Sequence, residues 1–291
     1  MGFLASKKYF LLTLLVFFLG LGNIVNASDL SIKQGEVYLY PVTYKKADSA
    51  LFGGVKIPFF EHDGKKYALI AVDVGKPLGG YNLRIKAGDK ELEKKLIEVI
   101  PGIYQKSMMG KAYKFSTLPK EKQESVTKDK APLVAMLAKS ATETKPKLWK
   151  TLFENPLASM ATTSPFGYKR IYTNYSTTHK GEDLRAKIGT PVYAISEGVV
   201  VWGEGKALYL EGPMVAIDHG GGIVSQYLHL SKVVAKSGST VVAGELIGYS
   251  GAQGADVSGA HLHLAIKVGT AFVNPLQFIK EFQKLKVVEE I

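Results

Sequence analysis

From Ser164 to Val268, glycine cuts the chain into short β-prone runs, and no long amphipathic helix intervenes before Pro275–Lys286. The runs are Val192–Ile195, Gly198–Trp202, Val215–Ile217, Val224–Leu230, Thr240–Val242, Leu246–Gly248 and Leu262–Val268. Between them lie turn glycines such as Gly203, Gly212, Gly220 to Gly222, Gly238, Gly244 and Gly251. Parallel neighbours need crossovers of about a dozen residues or more, usually helical, so such short connections predict an antiparallel sheet.

The N-terminal half is β-prone in a different way. Val37–Tyr40 is one candidate strand, and Pro58–Phe60 meets Tyr67–Val72 across His62-Asp63-Gly64. Asp-Gly between two such runs signals a hairpin, which makes His62 an exposed turn residue. Turns at Pro77–Gly80 and Ala87–Lys90 flank Tyr81–Ile85, and this spacing predicts a small β-sandwich. Residues 105–155 change character. Lys120–Lys130 is highly charged, and Pro132–Lys139 reads as a helix opened by its proline and broken at Lys145-Pro146-Lys147. Trp149, Leu152 and Phe153 follow as a small apolar cluster on a partly helical linker that packs on one neighbour. The fold class is mainly β: an N-terminal β-sandwich over 28–104, the linker over 105–155 and an antiparallel β-sheet domain over 156–291.

Residues 1–27 stand apart. Lys7 and Lys8 precede the almost wholly apolar stretch Tyr9–Leu21, and Val25-Asn26-Ala27 offers small residues for cleavage, the layout of a secretory signal peptide. The apolar stretch is shorter than the ~20 residues a bilayer span needs, so no stable membrane insertion is expected after cleavage. Its removal takes two lysines and no acid, lowering the formal net charge from +11 to +9. A basic exported protein is drawn to anionic polymers of a cell envelope. Nucleic acid is not an expected partner, because the lysines are dispersed and no run of five basic residues occurs. The chain has no cysteine, which excludes disulfides, thiolate metal sites and a cysteine nucleophile. Any metal must therefore be held by His, Asp or Glu.

Five of the six histidines fall between 179 and 263. His261 and His263 are two apart, which on a strand puts both imidazoles on one face while Leu262 and Leu264 point into the core. Two adjacent imidazoles are awkward as plain core, because each buried ring nitrogen needs a partner. His179 and Asp183 are four apart, and positions i and i+4 share a face on a helix or a strand, although Gly181 argues against a helix. An H-x-H pair with an H-x-x-x-D pair in a cysteine-free, glycine-rich domain points to a metal. Two histidines and one aspartate leave a fourth tetrahedral position open, the pattern of catalytic zinc, which lowers the pKa of water toward ~7 and polarises a carbonyl. The H-E-x-x-H motif with its built-in glutamate is absent, so another histidine must act as acid or base, and His229 stands where a strand ends. Spacing alone leaves open which member of the H-x-H pair is the ligand.

The stretch Ser164–Phe278 resembles the M23 family of metallopeptidases, the lysostaphin and LytM type. The motifs occur in order: Ser164-Pro165-Phe166-Gly167, His179-Lys180-Gly181-Glu182-Asp183, Gly189-Thr190-Pro191, Tyr227-Leu228-His229-Leu230-Ser231, Gly259-Ala260-His261-Leu262-His263 and Val273-Asn274-Pro275. The resemblance implies one Zn2+ per chain held by His179, Asp183 and His263, with His229 and His261 as the catalytic pair. It also implies a secreted endopeptidase acting on peptidoglycan stem peptides. The motifs leave a D-Ala to diaminopimelate bridge and a glycine bridge open, and the β-rich N-terminal region makes the former the expected bond. The alternative it carries is a catalytically latent wall-binding protein or regulator of other wall hydrolases. Two stretches depart from the family pattern: Glu182 replaces an apolar residue before the aspartate, and Leu264-Ala265-Ile266 replaces an aromatic-acidic-apolar run. His219 matches a frequent family histidine, for which a turn role is expected. Residues 28–104 resemble β-rich domains found ahead of some M23 domains, and residues 28–150 are expected to restrain or target the enzyme, with a passive spacer or wall-docking module as the alternative.

Overall fold

The structure, a computed structural model, describes residues 30–108, 114–142, 146–173, 175–205, 207–255 and 257–285, and the expected signal segment lies outside them. In the N-terminal half two sheets pack face to face. One runs in the order Ser31–Lys33, Lys90–Ile100, Gly79–Ala87, Ser49–Phe52, Val55–Ile57, and the other in the order Val37–Val42, Lys65–Ala71, Phe59–His62. Ala68 and Ile70 turn inward to a core with Ile32, Ala50, Leu83, Ile85 and Ile97. The alternate residues Tyr67 and Leu69 are buried as well, but in a different core shared with the C-terminal half. Successive strand side chains face opposite ways, so a strand covered on both faces reads as one continuous apolar run.

The C-terminal half is built on an antiparallel sheet ordered Thr162–Ser164, Glu182–Arg185, His261–Val268, Ile223–Leu228, Val215–Asp218, Gly198–Trp202, Thr240–Val241, with Ala271–Val273 also pairing His261–Val268. Every pairing along it is antiparallel. Leu262, Leu264 and Ile266 point into the core, as alternation requires. The helix Pro275–Gln283 opens at Asn274, whose side chain accepts from the N–H groups of Leu276 and Gln277, with proline at the first helical position. Its outer residues then complete the N-terminal sandwich. Gln277 exchanges two hydrogen bonds with the backbone of Val37, and Glu281 accepts from the N–H of Leu39. The edge of the smaller N-terminal sheet is thereby covered, which removes unpaired backbone groups from solvent.

Three features between the halves differ from the sequence reading, each for a tertiary reason. The helix starts at Lys120, not at Pro132, and runs to Thr142 with Pro132 inside it. Val126, Leu133 and Leu137 bury one face, and the last two join Leu208, Met214 and the sheet residues Ala216 and Val224, so packing offsets the hydrogen bond that proline removes. Residues 149–155 form no helix. Trp149 and Phe153 are plugged between Phe60 on one side and Phe278 and Phe282 on the other, so the segment packs on both halves and joins their cores. His62 ends the strand Phe59–His62 with its side chain only 13% exposed and its ring 6.1 Å from that of Trp149, so it is no exposed turn residue. Among the described residues no helix is long and apolar enough to cross a membrane.

The strand Lys106–Met108 pairs in parallel with Lys169–Ile171, which pairs in turn with Ser176–Thr178. Just before it, the ring of Tyr104 lies 6.1 Å from Phe166, and its hydroxyl donates to the carbonyl of Gln34. A Cβ on Gly167 would stand 2.1 Å from that ring, and the φ of +79° at this position independently favours glycine. The approach to the first metal-ligand motif is thus held from the N-terminal half.

Candidate active site

The chain order of the central sheet brings together residues far apart in sequence. Asp183 lies on the strand Glu182–Arg185 and is the register partner of His263 on His261–Val268. Leu228, the last residue of its strand, is the partner of His263 on the other side. His229 follows at once with φ +65°, a left-handed conformation uncommon for a residue with a Cβ. Its N–H donates to the carbonyl of Glu211, which helps hold that bend. His179 is neither on a helix nor on a strand. It sits in the turn ahead of Glu182, and its backbone bonds Gly167 and Tyr168.

Three donor atoms converge at the sheet surface. His179 Nε2 is 3.1 Å from Asp183 Oδ1 and 3.1 Å from His263 Nδ1, and His263 Nδ1 is 2.8 Å from Asp183 Oδ1. Neighbouring donors around a tetrahedral zinc with bonds of ~2.0–2.1 Å lie roughly 3.3 Å apart, so a small outward adjustment admits the ion. Two imidazoles and a carboxylate are also the ligand chemistry zinc accepts, and this triad is the group among the described residues that meets the geometric requirement of a metal site. Burial works against the Asp183 carboxylate, yet the imidazoles of His179 and His263 set against it outweigh that cost and hold its pKa well below the ordinary range. A carboxylate that stays ionised is what a cation needs.

Backbone carbonyls set the histidine tautomers. Nδ1 of His179 faces the carbonyl of Pro165 at 2.9 Å, that of His229 faces Gln253 at 2.9 Å, and that of His261 faces Gly259 at 2.8 Å. A carbonyl only accepts, so each Nδ1 carries the proton and each Nε2 keeps its lone pair. For His179 that lone pair points at the other two donors. For His261, Nε2 stands 3.5 Å from Asp183 Oδ1, and its ring lies 5.0 Å from the ring of His229. Burial, and then the neighbouring imidazoles of His263 and His261, pull the His229 pKa down to about 4.

All five predicted site residues line one open cleft of about 340 Å³. One rim carries Arg170, Thr177 and Thr178. The other carries Leu210, Glu211, Val257 and Ser258, with Lys130 of the long helix paired to the Glu211 carboxylate. His219 lies elsewhere. It is fully buried, its Nδ1–H donates to the carbonyl of Glu197, and its Nε2 accepts from the Ser225 hydroxyl. Its role is structural, in accord with the turn at which it sits.

Two residues that support the site, Glu182 and Gly181, had no supporting role in the sequence reading. Glu182, read there as a departure, is buried and accepts from the N–H of Phe166 and the hydroxyl of Thr162. It therefore ties down the loop whose Pro165 carbonyl orients His179. A Cβ on Gly181 would lie 2.4 Å from His263 Nε2 and 2.6 Å from the carbonyl of Leu264, so only glycine lets the turn pass under that ring. The glycine was visible within H-x-x-x-D, but the neighbour that demands it is 82 residues away.

Residues 177–275 match the family described as Peptidase family M23. Peptidoglycan DD-endopeptidase ShyA of Vibrio cholerae is 39% identical over 116 residues, which are 39% of this chain and 26% of that protein. DD-carboxypeptidase/endopeptidase Mpg of Neisseria meningitidis is 37% identical over 123 residues, 42% of this chain and 27% of that one. The chain thus spans about a quarter of the length of the curated relatives it matches. A crystal structure of a candidate M23 peptidase from Pseudomonas aeruginosa has a TM-score of 0.66 at 23% identity, over 86% of this chain and 95% of that one. The shared fold therefore extends well beyond the sheet that carries the histidines.

Proposed function

We propose, from the premise that residues 177–275 form a peptidase family M23 domain, that the protein is an exported zinc-dependent endopeptidase that hydrolyses peptide cross-links of bacterial peptidoglycan. The observation that carries this reading is the convergence of His179, Asp183 and His263 beneath His229 and His261 in one cleft. His179, Asp183 and His263 would hold one zinc ion. When bound, zinc supplies a Lewis acid that polarises the scissile carbonyl and makes water a nucleophile near neutral pH.

The rest of the chemistry falls to the chain. His229 and His261 offer Nε2 lone pairs because Gln253 and Gly259 occupy their Nδ1 protons. One of the two accepts a proton from the attacking water, and the other, once protonated, donates to the developing oxyanion or to the leaving amine. Both rings sit on rigid supports, His261 on the strand His261–Val268 and His229 just past the end of the neighbouring strand Ile223–Leu228, so little reorganisation is needed. The bond favoured is the D-alanyl to diaminopimelyl cross-link, in keeping with the DD-endopeptidase name of the Vibrio relative. The basic, then apolar N-terminal segment supports export to the periplasm or the cell envelope.

The test is mass spectrometry of peptidoglycan fragments after digestion by residues 28–291, with and without chelator. Loss of cross-linked dimers that chelation abolishes and zinc restores is the expected result. Intact dimers beside zinc-loaded protein would replace this reading with that of a latent wall-binding protein.

A further inference from the structure

We propose that Arg170 forms a subsite for a substrate carboxylate next to the scissile amide, with Thr177 beside it. The inference rests on the endopeptidase reading above and deepens it.

Arg170 is the middle residue of Lys169–Ile171, the central strand of its three-stranded sheet. Its register partners are Thr177 on one side and Ser107 on the other. Residues directly opposite in an antiparallel pair project to the same face, so Arg170 and Thr177 stand side by side, and both line the cleft that holds the histidines. A cation on a central strand is fixed in place far better than one on a loop.

The charges along the cleft separate into spent and unspent ones. Both carboxylates that line it are engaged: Asp183 with His179 and His263, and Glu211 with Lys130. The Lys180 ammonium lies 5.1 Å over the ring of Phe272. The partly buried Arg170 has no carboxylate partner among the described residues. A guanidinium with no carboxylate partner among the described residues, beside a catalytic centre, is suited to receive an anion, and its planar fork suits a carboxylate better than a single oxygen. In a D-alanyl to diaminopimelyl cross-link, the carbon bonded to the scissile nitrogen carries a free carboxylate. A glycine bridge offers no side carboxylate there. Arg170 would thus select the first substrate and orient its amide over the zinc ligands.

The experiment compares two synthetic cross-linked dimers, one with that carboxylate free and one with it amidated, on zinc-loaded wild type, Arg170→Gln and Arg170→Lys. Wild type is expected to favour the free acid by roughly tenfold to a hundredfold in kcat/KM, mainly through KM, the range that a charge-assisted bidentate contact provides. In Arg170→Gln that ratio should collapse toward one at unchanged zinc content, and Arg170→Lys, with its charge but without the fork, should retain an intermediate ratio. Equal cleavage of both dimers by wild type, or an undiminished ratio in both variants, overturns the subsite and leaves the endopeptidase reading standing. Wild type that cuts neither dimer overturns both.

Discussion

Asp183 Oδ1 lies 2.8 Å from His263 Nδ1, and the two residues are direct partners on adjacent antiparallel strands. Two of the three proposed zinc ligands are thus set by sheet register, with the third, His179, brought in by a turn. Removing Asp183 leaves two imidazoles without the charge that draws a cation. Asp183→Ala is expected to lose bound zinc and at least a hundredfold in wall-hydrolysing activity, while its circular dichroism stays that of a β protein. Metal analysis after gel filtration checks this, and stoichiometric zinc in the variant would remove Asp183 from the ligand set.

Gly181→Ala tests the turn beneath His263. The new methyl would meet a ring nitrogen at 2.4 Å and a backbone carbonyl at 2.6 Å, and the backbone cannot yield cheaply. The His263 ring must tilt, so zinc affinity should fall by roughly ten- to a hundredfold, the range seen when the support of a metal ligand is disturbed. Chelator competition measures it. Unchanged affinity would show that the ring has room to move aside.

Trp149 joins the two cores, with Phe60, Phe153 and Phe282 packed around it. Trp149→Ala is expected to cost about 3–5 kcal/mol in denaturant unfolding, the range for deleting a large buried aromatic side chain. The indole N–H is buried without a hydrogen-bond partner among the described residues. Trp149→Phe keeps most of the ring contacts and removes that N–H, so it should cost far less. Equal losses in the two variants would contradict the plug.

His219 gives the fold an acid limit. Burial lowers its pKa from 6.5 to about 4. Between those values the unfolded chain binds a proton that the native state refuses, so stability is full above about pH 6.5 and falls as the pH drops toward 4. The loss reaches about 3 kcal/mol. His229 shifts in the same direction, so the native chain as a whole should lose stability over this window. Denaturant unfolding of chelated protein at pH 7.5 and 4.5 should show a smaller drop for His219→Gln than for wild type. Identical drops would assign the acid sensitivity elsewhere.

Much of this protein was readable from the chain alone. The alternation in His261-Leu262-His263-Leu264 places two imidazoles on one strand face, and the structure has the leucines fully buried and both histidines in the cleft. Glycine-punctuated β-prone runs led to an antiparallel sheet, and Pro275 to the start of the last helix. These signals depend on strand period, turn chemistry and the fit of proline at a helix start, which act within a few residues.

What only the tertiary structure decided are contacts whose partners lie far apart along the chain. Asp183 meets His263 because their strands are neighbours, and Lys106–Met108 joins Lys169–Ile171 in parallel across more than sixty residues. Pro132 sits inside a helix because Leu133 and Leu137 find a sheet to cover, and Trp149 is buried because it packs into a core shared by residues of both halves. The tautomers of His229 and His261 follow from carbonyls that loops 253 and 259 present, which no spacing rule encodes. The physical reason is common to all of them. Local preferences are weak and set by immediate neighbours, whereas strand partnership and burial are chosen by the free energy of the whole core, which no short window of sequence contains.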